Sequence, residues 1–354
     1  MTTNTVTGTA TGSLYQHKTR SMRVSHKQER SQVEHAQASR AQAIPVQTAR
    51  AAKLIGAVLV ALSAISWGIS GVFAQYLTQG QGVAPSWLNC ARMVGAAVLL
   101  LPLAFAKKDT RHEIKAAVRN KKDLRNIAIY AIFGAFACQV GYLYTITYTN
   151  SGTATMFEQS GMVIVMAVTC LTVKRFPTYK EIAALLLALT GVFCFCTQGS
   201  PTSLAISTQG FVWGIFAAIG MALYIILPGH LNLLEKFNGL TVTTLAMCIA
   251  GVVISIFLRP WTVMPTLNAP IVLGTLGTIV FGTIIAYLLF LKGMKLVGPI
   301  VGGLLDAIEP VTALVLSALW LGTSVTIWDT IGCAFIIGMI VLITLPDKKG
   351  EETH

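Results

Sequence analysis

The sequence predicts an all-α integral membrane protein, with ten transmembrane helices arranged as two inverted five-helix repeats. Three observations predict it. First, 54% of the 354 residues are hydrophobic and only 11% charged, with mean hydropathy +0.67. Soluble domains carry about 25% charged residues. Second, ten apolar segments follow one another, each near the ~20 residues that a helix needs to cross the hydrocarbon. Third, landmarks of the first half return in the second at an offset of 148 residues.

Residues 1–53 precede the first segment and are rich in Ser, Thr, Gln and Arg without a sustained apolar face. They are expected to be a disordered basic cytoplasmic tail. Their basic part is too long for a signal peptide, and no cleavage site follows an apolar region of the right length. The predicted spans are 54–79, 86–106, 126–147, 152–173, 180–198, 210–229, 240–258, 271–292, 298–321 and 327–345. A second tail, 346–354, closes the chain.

The net charge of +12 does not mark a nucleic-acid partner, because the cations lie in tails and short connections. Of the 26 Lys and Arg, all but Arg92 and Arg259 fall on one side of the predicted topology. The richest connection is the basic loop Lys107–Arg125. That bias puts both termini in the cytoplasm. All seven cysteines lie inside apolar runs, in no zinc pattern, and read as small packing residues.

At the offset of 148, Gly134 corresponds to Gly282, Glu158 to Asp306, Lys174 to Gly322, Thr178 to Thr326 and Glu181 to Asp329. The halves are then 54–198 and 199–345. Five helices per half is an odd number, so the second half is inverted. Inverted repeats characterise secondary transporters, whose sites lie near the midplane at the repeat interface.

Charged residues inside spans are costly and usually functional. Four lie away from the span ends: Arg92, Glu158, Asp306 and Glu309. Glu158 and Asp306 are expected at mirrored depths, which suits a site that faces each surface in turn. Arg92 stays charged at physiological pH. It is expected to pair with one of the three carboxylates, to bind a substrate carboxylate or to snorkel to the outer surface. Glu309 is a candidate carrier of a coupling proton, since burial disfavours the charged form, and equally a candidate neutral acid that caps a carbonyl of the broken helix. It directly precedes Pro310, which removes the helical partner of the Asp306 carbonyl and predicts a kink there. Trp67, Gln139, Tyr142 and Gln159 are the further candidates for lining the site; Gln75, Tyr144, Tyr224 and Tyr287 are similar ones.

These segments resemble a known family. AISWGISGVFAQYL (64–77), LNCARMVGAAVLLLPLAF (88–105) and LVGPIVGGLLDAIEPVTALVLSALWLG (296–322) are similar to the EamA-type members of the drug/metabolite transporter superfamily. The resemblance covers about 54–345. It implies helices one to four and six to nine around a central cavity, with the fifth and tenth peripheral. It also implies export or exchange of small metabolites, such as amino acids, across the bacterial plasma membrane. In the first half Met162 stands where such proteins often have a proline, so Gly161 is expected to supply the flexibility.

The partners implied are a small-molecule substrate, the bilayer and a coupling proton. No cofactor, metal site or nucleic acid is expected. The chain has no glycine-lysine phosphate loop, so direct ATP drive is not expected. Multidrug or cation efflux is the competing transport reading. A membrane-embedded enzyme would need a nucleophile, metal ligands or paired aspartates, and no such motif stands out. A channel would need a continuous polar stripe.

Overall fold

The computed structural model describes residues 51–200 and 202–344. The first tail therefore lies outside the described residues apart from 51–53, which are already helical, and so does the second tail, 346–354. All regular structure among the described residues is helical. Eight helices are long and apolar enough to cross a membrane, and two shorter apolar ones, Ile308–Leu321 and Ile327–Leu342, follow. One compact unit begins at Gly56.

Helix α1 (Ala51–Gly80) ends in a π-helical stretch, Tyr76–Gly80. Helix α2 (Pro85–Ala106) opens on proline, whose missing N–H costs nothing at that position. The connection expected as a basic loop folds into helix α3 (Lys108–Arg119), which buries Thr110, Ile114 and Ala117. These residues share one face at helical spacing. Glu113 of α3 accepts from the Asn238 N–H (2.8 Å) and the Thr241 hydroxyl (2.7 Å).

Helix α4 (Lys121–Tyr148) starts five residues before the predicted span. Asn120 explains the early start, because its side chain accepts from the N–H groups of Lys122 and Asp123. Asp123 in its first turn pairs with Lys236 at 2.7 Å. A π-helical stretch, Tyr130–Phe136, interrupts α4. Asn150 then caps α5 (Ser151–Val173) through the Thr153 N–H. Thr178 and Glu181 form a capping box at the start of α6 (Tyr179–Thr197). Helix α7 (Thr208–His230) is followed by the single turn α8 (Leu233–Lys236) and by α9 (Gly239–Leu258).

The next element departs from expectation. The spans predicted at 271–292 and 298–321 are not separated at 293–297. Helix α10 runs Ala269–Ile279, passes through a π-helical stretch, Val280–Ile285, and continues as Ala286–Asp306. The break comes at Ala307, and α11 (Ile308–Leu321) follows. Pro310 is the reason: it leaves the Asp306 carbonyl without a helical donor. The polar and breaker residues at 292–299 suggested a loop, yet the backbone there stays helical. Helix α12 (Ile327–Thr344) completes the chain.

The same local events recur 148 residues apart. The π-helical stretches contain Gly134 and Gly282. Lys174 and Gly322 both end their helices in the left-handed region, at φ 55 and 64. Thr178 accepts from the Glu181 N–H, and Thr326 accepts from the Asp329 N–H. Helices α6 and α12 share one apolar cluster built on Phe195, Ile336 and Met339. Leu171, Phe257 and Leu319 are 77%, 75% and 78% exposed, as side chains facing hydrocarbon would be.

Candidate substrate-binding and coupling site

Helix α1 sets one wall of the site. Ser63, Ser66, Trp67 and Ser70 recur at helical spacing and so share one face. Their side chains donate to backbone carbonyls of α10. Ser63 bonds Ala286 (2.8 Å), Ser66 bonds Phe281 (2.9 Å), Trp67 Nε1 bonds Gly282 (3.0 Å) and Ser70 bonds Thr278 (3.0 Å). The pairs descend along α10 as they rise along α1, so the helices are antiparallel. The seam lies on the π-helical stretch, a form that often marks functional sites. The Trp67 ring also lies edge-on to Tyr287 and tilted against Phe290, with centroids 5.8 and 5.2 Å apart. Tyr287 bonds the Tyr224 hydroxyl, and Tyr224 packs on Tyr130 at 5.5 Å. Trp67 therefore helps to fix α10.

Helix α2 brings Arg92 to the same place. An added Cβ on Gly282 would lie 3.6 Å from its Nη2. As a residue Arg92 is half-buried, and its buried Nη1 has no hydrogen-bond partner. Arg92 forms no ion pair with Glu158, Asp306 or Glu309 among the described residues, which removes the direct carboxylate pairing that the sequence suggested. Of the three acids, its charge acts through space on Glu158.

Helix α5 contributes Glu158 and Gln159. Glu158 accepts from the Cys138 thiol at 2.8 Å, and it interacts through space with Arg92 and Asp306. Gln159 is 2% exposed and donates to Asp306 Oδ2 at 3.4 Å. Its own Oε1 and the Asp306 Oδ1 are buried without partners. Tyr142 of α4 bonds Thr155 at 3.2 Å. Gln139 is half-buried and has no hydrogen bond among the described residues.

The break after α10 carries the remaining acids. Asp306 is its last residue, and Glu309 lies in the first turn of α11, before the buried Pro310. Glu309 is half-buried, without a hydrogen bond or ion pair among the described residues, and interacts through space with Asp306 and Glu158. Gly161, expected as a hinge, sits inside the uninterrupted α5. A Cβ there would collide with the Ala218 carbonyl of α7, so close packing accounts for this glycine. Gln75 and Tyr144 also serve packing. Gln75 is bound up in a hydroxyl network, and Tyr144 stacks on Trp213 at 4.4 Å.

Glu158 adjoins Gln159, which bonds Asp306, and Asp306 and Glu309 share the helix break, while Arg92 lies against Gly282 of α10; none of the four pairs with another by direct contact. Such a group can bind a polar solute or exchange a proton. The role of Cys138 at Glu158 has no signal in the sequence, because a cysteine in an apolar run looks like a packing residue. Sequence reasoning also missed the serine face of α1, although Ser63, Ser66 and Ser70 bear the helical spacing that could have revealed it. Among the described residues, no group of three or more His, Cys, Asp or Glu could hold a metal ion.

Comparison with known proteins fits this architecture. The model of the EamA-like transporter family matches twice, at residues 54–197 and 208–345. The chain belongs to the EamA-like transporter family. It is therefore a multi-pass membrane transporter of the drug/metabolite transporter superfamily. It is 30% identical over 294 residues to the uncharacterized inner membrane transporter YicL of Salmonella typhimurium, covering 83% of this chain and 96% of that one. An uncharacterized transporter of Clostridium kluyveri is 23% identical over 309 residues, covering 84% and 95%. A solved crystal structure superposes with TM-score 0.52 at 13% identity, over 83% of this chain and 96% of its own. That likeness concerns the fold alone.

Proposed function

We propose that this EamA-like protein is a secondary active transporter, an exporter or exchanger of small zwitterionic metabolites such as amino acids. In this reading ten helices form two inverted repeats, 54–198 and 199–345, around a central cavity in the plasma membrane. Both termini face the cytoplasm, and the cavity opens to each side in turn.

One arrangement supports the reading: Arg92 lies against α10 with a free buried donor, and Glu158, Asp306 and Glu309 are grouped around Gln159 and the helix break that ends α10, with no ion pair between any of the four. A lone arginine beside separate acids presents both signs of charge to a solute. The free Nη1 of Arg92 suits a carboxylate, since guanidinium donors fit its oxygens. Glu158, Asp306 and Glu309 suit an ammonium group or a coupling proton. Asp306 and Glu309 flank the helix break, so a change of charge there acts where the backbone already lacks helical bonds.

The test is counterflow and pH-driven flux in proteoliposomes, with the triple variant Glu158→Gln, Asp306→Asn, Glu309→Gln. The variant should insert normally and lose pH-driven flux. Undiminished flux would overturn the reading. Efflux of larger organic cations is the second reading, supported by the Trp67, Tyr287 and Phe290 cluster. It predicts flux of aromatic cations that survives Arg92→Gln.

A further inference from the structure

Asn89 lies three residues before Arg92 on α2, so both side chains project from adjacent turns on one side of the helix. It is 1% exposed, yet neither its Oδ1 nor its Nδ2 has a partner. The buried Nη1 of Arg92 has no partner either. Burying an amide with both ends unpaired is costly, and the large majority of buried polar side-chain atoms in native proteins are paired. Its neighbours on α2 include the apolar Leu88, Cys90 and Met93, so an apolar residue at 89 would match the local chain and remove the cost.

The chemistry of the two groups narrows what they can bind. Asn89 offers neutral N–H donors and one acceptor, and Arg92 offers charged donors. Two donors on successive turns can each take one oxygen of a carboxylate. The Asn89 Oδ1 remains free to accept from an ammonium or hydroxyl beside it. The three acids lie on other segments, on α5 and around the α10–α11 break.

We propose that Asn89 and Arg92 together form the subsite for the carboxylate end of the solute. Asn89 decides how strongly carboxylate-bearing solutes are preferred over amines. The proposal rests on the zwitterion reading above and goes beyond it by assigning a residue to specificity.

The experiment uses the full chain in proteoliposomes. Counterflow is measured for matched pairs, an amino acid and the amine left by its decarboxylation: lysine and cadaverine, phenylalanine and phenethylamine. Asn89→Leu should lower the preference for the amino acid over its amine about ten-fold, as expected for losing a hydrogen bond to a charged group. The change should appear in KM. Asn89→Asp should lower it further by repelling the carboxylate. Asn89→Ser, which keeps one donor, should fall between wild type and Asn89→Leu, and it carries the test if the leucine variant fails to fold. An unchanged preference, with or without a gain in thermal stability, overturns the subsite and leaves the zwitterion reading standing. Equal losses for both members of a pair do the same. A wild-type protein that moves no amino acid overturns both.

Discussion

Gln75 offers the clearest measurable consequence of this packing. It is 3% exposed and joins three helices. Its Oε1 accepts from the Ser151 N–H (2.8 Å), the Ser151 hydroxyl (2.9 Å) and the Ser317 hydroxyl (2.8 Å). Its Nε2 donates to Thr323 at 2.9 Å. Gln75→Leu keeps the size and removes every one of these bonds. Ser317 retains Thr323 at 2.7 Å, and the Ser151 hydroxyl retains only the distant Ala313 carbonyl at 3.5 Å. The Ser151 N–H, in the first turn of α5, retains nothing, because first-turn donors lack helical partners. An orphaned buried donor costs about 1–3 kcal/mol, and weakened hydroxyl bonds add to that. A total of about 3 kcal/mol corresponds to a fall in Tm of about 6 °C. Thermal unfolding in detergent, followed by tryptophan fluorescence, reads the shift. Thr169→Val is the control, since Thr169 bonds only the Val165 carbonyl of its own helix at an exposed position. A Gln75→Leu shift no larger than the control's would refute the clasp.

Two further outcomes follow from the helix contacts. Gly220→Val should destabilise the protein by about 3 kcal/mol, because a Cβ there would lie 2.5 Å from the Cys138 nitrogen and force α4 and α7 apart; a detergent-titration midpoint measures it. Trp67→Phe keeps the ring against Tyr287 and Phe290 and loses the bond to the Gly282 carbonyl, so it should cost about 1 kcal/mol. Its unfolding midpoint should fall, whereas Trp328→Phe, with no such bond, should leave the midpoint nearly unchanged.

Much of the fold was legible because its signals are local. Apolar runs gave most span positions to within a few residues. Asn150, Thr178 and Thr326 act as caps where their side chains, followed by helical segments, suggest starts. Two misreadings share a cause. In Lys107–Arg125 the density of charge masks the helical period that Thr110, Ile114 and Ala117 carry. At 292–299, breaker residues suggested a loop, while the effective interruption came from Pro310 further on. A breaker states a local preference, and packing decides whether the backbone obeys it.

The site was legible as a set of residues and not as a geometry. Sequence alone determined that Arg92, Glu158, Asp306 and Glu309 lie within apolar segments, because hydropathy and the 148-residue recurrence are properties of the chain itself. Only the tertiary structure decided that Arg92 leaves the acids unpaired, that Cys138 donates to Glu158, and that Gly161 serves contact with Ala218. Those facts depend on how helices far apart in sequence are rotated and spaced. A shift of a few ångströms makes or breaks a hydrogen bond, and it leaves the hydrophobic pattern untouched.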